Sequence, residues 1–527
     1  MQQGASRALI ALSGVTALLA VTPLAYLLIR VADAGPQKIA AALFRARTLE
    51  TLVTSVELVV IVVASCILIG VPVAFALARI KIPLIALWTV AFSLPLAIPS
   101  YVAAYAWLAA FPGMSGLWAA ALVLTTVSLP YVVIPTTIAF RATDGAYGEV
   151  SRALGKSEFR TFFSSTMPQV WPVTAAGALL AALYTLSDFG AVALFRVDAF
   201  TRVIYTSYRG SFDRTTAAVL AVVLVLLAAL LVLGERKIRG TSARWRTSSG
   251  TARPELPQKI RPVYLMGVLF AFFLMIAVSL LVPIFSLVQQ TMRGSRKSID
   301  YSELFGAAGN TLLISGAAAL VTVVAALPIG ILVARHRGKT IGILETLAYS
   351  GHALPGVVVG LSLVFFTLRV VPVLYQTLLA LVFAYVILFL PKAIGATRTS
   401  IGSVPPILED MAQTLGRSPI SAWVRTTLRL AAPGVAVGGL LVWLTAMKEL
   451  PATLMLRPSG FDTLASELWS KTEIAAYGAA APFALTLIAM AAVPAWLLTY
   501  FSDSSARSNR QGLTIGESQV DAVTVKS

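Results

Sequence analysis

The chain has 527 residues, 58% of them hydrophobic and only 12% charged, with a mean hydropathy of +0.84 and a formal net charge of +18. Soluble domains carry about 25% charged residues, so this composition excludes a soluble globular protein. In a membrane protein a basic excess holds cytoplasmic loops inside, and the charge therefore implies no nucleic-acid partner. One cysteine and two histidines exclude an internal disulfide and a Cys- or His-cluster metal site, and no cofactor is expected.

A membrane-crossing helix needs about 20 apolar residues. Ala8 to Ile29 carries no charge and forms the first expected span. It is long enough to cross, and no clear cleavage site follows it, so it does not read as a cleavable signal peptide. Leu52 to Ala78 is the second span, interrupted only by Glu57. Ile82 to Phe140 is uncharged and far too long for one span, so it must fold back, with the turn at Phe111-Pro-Gly-Met-Ser-Gly116. A polar loop runs from Arg141 to about Pro168. The fifth span covers about Pro172 to Phe195, with Asp188 inside it, and the sixth Thr215 to Gly234. Glu235 to Arg261 holds eight Lys or Arg and two acids, and reads as a solvated linker between two halves.

The second half repeats the plan. Pro262 to Val288, Asn310 to Ala334, Thr346 to Leu368 and Val371 to Pro391 are the next four spans. A second polar loop runs from Lys392 to about Arg429, and spans at about Pro433 to Leu456 and Ala479 to Tyr500 complete twelve. The tail from Ser502 is polar and reads as disordered. Twelve spans place both termini on one side, which the positive-inside rule makes cytoplasmic. The expected units are thus 1–234 and 262–501, joined by the basic linker 235–261 and followed by the tail 502–527.

The repeat is explicit in the sequence. Pro72 to Arg79 matches Pro328 to Arg335 at an offset of 256, and Pro99 matches Pro355. From Leu129-Pro130 and Leu390-Pro391 onward the offset is 261. It pairs Glu149-Val-Ser-Arg-Ala153-Leu154-Gly155-Lys156-Ser157 with Asp410-Met-Ala412-Gln-Thr-Leu415-Gly416-Arg417-Ser418. Each stretch reads as a short amphipathic helix ended by a glycine able to turn left-handed, followed by a second short helix. Val150, Ala153 and Leu154 share one face of the first. Such an elbow at a membrane surface can sit in a groove of a cytosolic partner, and moving it moves the attached spans. The competing reading is an interfacial segment without a partner.

The same offset pairs Asp188 with Glu449. An intramembrane carboxylate costs about 2.5–3.5 kcal/mol and is a functional hypothesis by default. Two readings stay open: both acids line the outer mouth of a pathway, or both cap helix breaks at Gly190 and Pro451, with Lys448 a counter-charge for Glu449. Glu57, whose counterpart is Leu313, and His352 read as packing or interfacial residues.

The acid-to-glycine spacing of the two loops resembles the "EAA" loop of permease subunits of binding-protein-dependent ABC importers, although Val150-Ser151 stand for Ala-Ala and Asp410 for Glu. The stretches from Asp188 to Tyr205 and from Lys448 to Ala465 are similar to the two halves of fused ferric-iron importer permeases. That resemblance covers nearly the whole chain. It implies an all-α integral membrane protein of two tandem six-helix (type I, MetI-like) domains in the cell inner membrane. It implies two copies of a separate cytoplasmic ATPase on the elbows, coupled through Glu149, Ala153, Leu154, Gly155 and Lys156 and through Asp410, Ala412, Leu415, Gly416 and Arg417. An extracytoplasmic iron-binding protein would load the opposite face. Asp188, Glu449 and Lys448 are then the pathway candidates. No Walker motif occurs, so ATP chemistry belongs to another chain and this one is a translocation subunit, not an enzyme. Within the class, thiamine, phosphonate or polyamine are rival cargoes; outside it, a secondary transporter has a similar span count but needs no duplicated elbow.

Overall fold

In a computed structural model the chain is described over residues 6–210, 213–242, 257–294, 300–494 and 497. The expected tail, most of the linker, the end of the last span and the side chain of His352 lie outside the described residues. Among the described residues the fold is all α-helical, with a single isolated β-bridge between Ile80 and Gln258. That bridge ties the end of the linker back to the end of the second span, through Lys81 N to Gln258 O at 2.9 Å and Gln258 N to Arg79 O at 2.8 Å.

Among the described residues ten helices are long and apolar enough to cross a membrane, or twelve where each of two bent helix pairs counts as one span. The turn at 111–116 joins the third and fourth spans as expected. The two bent pairs correct the expectation of straight third and ninth spans. Ile85–Ala97 meets Ser100–Ala110 at 95°, and Lys339–Gly351 meets Gly356–Arg369 at 99°. The cause lies in the matched prolines. A residue before proline is pushed out of the α region, and Ile98 (ψ 121°) and Leu354 (ψ 117°) are both extended. Helix restarts after Pro99 and Pro355, where the missing N–H is no loss.

The fifth and eleventh spans also differ from expectation. They begin before Pro172 and Pro433, which sit inside Met167–Ser187 and Arg429–Met447. Each is continuous with the elbow through one π-turn, Phe162–Thr166 and Val424–Leu428. Both spans then end earlier than expected, at Ser187 and Met447, just before the buried acids.

Small residues let these spans meet closely. Gly177 and Gly438 are counterparts at the 261 offset; a Cβ on Gly177 would collide with the Tyr131 carbonyl, and one on Gly438 with Ala396. Close backbone approach through small residues is how membrane helices gain packing where apolar burial drives nothing. Cys66 is part of the core, its Sγ 3.7 Å from the Thr125 carbonyl, while Glu57 is exposed on the second span. The halves are joined at the centre: the Tyr105 hydroxyl donates to the Tyr477 carbonyl, and Thr16 Oγ1 to Ala325 O at 3.2 Å.

Candidate functional site

The two elbows share one backbone. Gly145–Ala153 and Ile407–Thr414 are short helices followed by Gly155 (φ +80°) and Gly416 (φ +83°). In the first, Gly155 N donates to Arg152 O at 2.9 Å and Lys156 N to Ser151 O at 3.2 Å. In the second, Gly416 N donates to Gln413 O at 2.9 Å and Arg417 N to Ala412 O at 3.2 Å. In each elbow the glycine amide makes the five-to-two bond and the basic residue's amide the six-to-one bond of the Schellman closure that a left-handed glycine permits. Ser157 and Ser418 then cap the next helix, each accepting from an amide three residues on at 3.4 Å. The preserved basic-Ser pair after the glycine thus has a structural cause in its serine.

Each elbow presents matched apolar knobs to solvent. Leu154 and Leu415 are 74% and 83% exposed, and their neighbours Phe159 and Ile420 are 74% and 78% exposed. Glu149, Ala153, Lys156, Asp410 and Arg417 are exposed beside them. Matched apolar side chains thus stand free among charges on both elbows. The opposite face of each elbow is tied down. Ser151 and Ser165 hydroxyls are 2.6 Å apart, and Arg79 donates to the Thr143 hydroxyl. In the second half Arg335, the counterpart of Arg79, reaches Glu409 Oε1 at 3.0 Å and Val404 O at 2.8 Å, and Thr427 donates to the same carboxylate. Glu409 is a residue that sequence reasoning missed, because its neighbour Asp410 carries the repeat match.

Between the halves lies a cavity of 440 Å³, built from counterpart residues: Pro99 and Pro355, Asp188 and Glu449, Tyr131 and Lys392. The breaks at both prolines open this space. The carboxylates occupy equivalent places but reach them differently. Asp188 Oδ1 accepts from Ala191 N (2.9 Å) and Val192 N (3.3 Å), and Oδ2 from the Ser100 hydroxyl. Glu449 accepts from Ala452 N (3.0 Å), Thr453 N (3.0 Å) and Thr453 Oγ1 (2.9 Å). It lies against Gly356, the counterpart of Ser100, and its carboxylate Oε1 takes the space a serine side chain would fill. Both acids thus cap the helices that restart after them and also line the cavity. Lys448 is not paired with Glu449; its ammonium donates to Leu96 O of the other half at 3.0 Å.

Lys392 is the second missed residue. The sequence places it at the start of the second loop, but the helix Leu378–Gly402 runs through it, and it lines the cavity with its Nζ 5.2 Å from the Phe389 ring centre. On the side of the cavity away from the elbows, Phe189 packs against Tyr205 (4.8 Å) and Trp469 (5.1 Å), one aromatic group drawn from both halves and buried.

The profile of binding-protein-dependent transport system inner membrane components matches the chain twice, over residues 67–235 and 326–507. The chain belongs to this family. It is the permease part of an ABC importer, and each match contains one elbow and one buried acid. The chain is 34% identical over 485 residues to the Fe(3+)-transport system permease protein FbpB 2 of Haemophilus influenzae, covering 91% of this chain and 95% of that one. It is 34% identical over 188 residues to the molybdenum transport system permease protein ModB of Mycobacterium tuberculosis, covering 32% of this chain and 71% of that one. It is 26% identical over 196 residues to the molybdate/tungstate permease WtpB of Pyrococcus abyssi, covering 37% and 77%. A permease of this family is a transport protein of the inner membrane, and the secondary-transporter alternative falls away.

Proposed function

We propose that this permease carries ferric iron into the cytoplasm, powered by two copies of a separate ATPase and supplied by an extracytoplasmic iron-binding protein. The observation that carries the iron reading is the end-to-end match, across both fused halves, to a relative named for Fe(3+) transport; the molybdenum relatives match about a third of the chain. The elbows are the ATPase seats. Glu149 to Ser157 and Asp410 to Ser418 face the cytoplasm, with Leu154 and Leu415 as the knobs that enter the partner's grooves and the charged residues around them setting register. Closure of the ATPase pair draws the elbows together. Because each elbow runs through a π-turn into the span that ends at Asp188 or Glu449, a shift at the surface reaches the cavity along one continuous helix.

Proteoliposomes holding this chain with its ATPase, loaded binding protein outside and ATP inside, test the reading. ATP-dependent accumulation of radioactive iron is expected. ATP hydrolysis stimulated by a binding protein loaded with molybdate, with no iron uptake, would keep the importer and replace the cargo.

A further inference from the structure

The cavity between the halves contains two carboxylates, each already holding three donors, and two ammonium groups that hold few acceptors. Asp188 and Glu449 each accept three hydrogen bonds from amides and hydroxyls of this chain. Their oxygens face the positive ends of the restarting helices. Lys448 spends one donor on Leu96 O, and Lys392 faces a ring. Among the described residues neither lysine has a carboxylate partner within ion-pair distance. An ammonium carries three donors and no acceptor. A lysine left unpaired inside a membrane protein is costly and marks a ligand path by default. Both lysines come from the second half; Tyr131 and Ser187 stand at the matching places in the first. One wall of the cavity is therefore cationic and the other phenolic.

We propose that Lys392 and Lys448 form an oxyanion-binding wall, so that the cargo crosses as a metal still held by its oxyanion ligand, not as a bare cation. A bare trivalent cation would meet two ammonium groups that have no carboxylate partner, while the two carboxylates of the cavity are each already held by three donors. An anionic complex presents oxygen acceptors to the donors that lack them, and the cavity volume of 440 Å³ lies within the roughly 300–1,000 Å³ of small-molecule sites. This deepens the iron-importer reading and rests on it for the identity of the metal.

The test uses the complete complex in proteoliposomes, supplied with labelled iron together with either labelled phosphate or labelled citrate, and separately with labelled molybdate. One of the two anion labels is expected to enter with the iron. The Lys392→Met, Lys448→Met double variant is expected to lose at least about tenfold of both labels, and Lys392→Arg, Lys448→Arg to recover most of them. Elution of each variant as an intact complex with the ATPase checks that it is folded. Iron entering without either anion, or at the wild-type rate in the double Met variant, overturns the wall and leaves the importer standing. Lysine-dependent molybdate uptake without iron uptake sustains the wall and overturns iron. Transport confined to neutral or cationic organic solutes overturns both.

Discussion

The two halves of this permease share a backbone and differ in how they hold it. At the elbows, the first half uses hydroxyls: Arg79 on Thr143, and Ser151 against Ser165. The second places Glu409 where the first has Gly148, and closes an ion pair with Arg335 whose members are 14% and 22% exposed. Both arginines make charge-assisted bonds, Arg79 to a hydroxyl and Arg335 to an ionised carboxylate. At the cavity the first half offers tyrosines and the second lysines. Fusing two domains in one chain lets each drift: the elbow backbone is kept in both, while the contacts behind it and the side chains at the cavity have diverged.

Breaking the shared feature has the largest expected effect. Gly155→Val or Gly416→Val forces a β-branched residue into left-handed backbone, which costs about 1–2 kcal/mol or more and misdirects the helix that follows. Either alone should lower ATP-driven uptake by at least about tenfold with normal membrane insertion. Uptake within twofold of wild type would detach the elbows from coupling. Next come the knobs. Leu154→Asp and Leu415→Asp remove apolar anchors whose truncation in a packed interface costs about 2 kcal/mol or more, so affinity for the ATPase should fall at least about tenfold in a pull-down titration. Equal falls at both positions would mean that the two seats are equivalent. A deficit confined to one would mean that the tighter second elbow carries the assembly.

The difference between the halves is sharpened by a smaller pair of changes. Glu409→Ala removes the anionic partner of Arg335 and so loses an ion pair as well as a bond to a charged group worth about 1.5–3 kcal/mol, whereas Thr143→Ala removes a neutral acceptor from the Arg79 guanidinium and loses such a bond alone. Hydrogen exchange should speed more in Ile407–Thr414 of the first variant than in Gly145–Ala153 of the second. Equal loosening would erase the asymmetry.

Much of this plan was legible because repetition reports it. The elbow glycines, their serine caps and the Asp188–Glu449 pair emerge from a fixed offset with no knowledge of contacts. Prolines were read less well. Pro99 and Pro355 served as landmarks of the repeat, yet their bends of 95° and 99° depend on where the chain can turn in a packed interior. Pro172 and Pro433 mimic helix starts, yet both lie inside helices, because neighbouring spans let a membrane helix tolerate proline. Lys392 was unreadable for a different reason. Charge at the end of an apolar run normally means the membrane surface, and only the course of Leu378–Gly402 carries it into the cavity. Glu409 was hidden because its counterpart is Gly148, so a method built on what repeats passes over what one half alone has acquired.

The smallest expected effect concerns the face opposite the elbows, and it again separates the halves. Lys471, on the helix Leu464–Glu473, bonds Glu303 at 2.7 Å and Glu467 at 3.4 Å. Burial pushes the Glu467 carboxyl up, and the nearby Glu303 pushes it further, against the pull of Lys471. The folded state therefore favours protonated Glu467, so this rim gains stability as pH falls through the raised value and loses it as pH rises past it. The first half has instead Arg45 with Asp213 (3.5 Å), where bonds from Thr216 and the nearby Arg45 outweigh burial and hold the Asp213 carboxyl below its usual range. Its contribution is present at neutral pH and is lost as pH falls. Protection of 464–473 and of 214–220 against hydrogen exchange, corrected for intrinsic rates, should consequently move in opposite directions between pH 7 and the carboxylate range. Glu467→Gln should flatten the first profile and leave the second unchanged. Parallel profiles in the wild type would mean that the two rims do not differ in the way their charges are held.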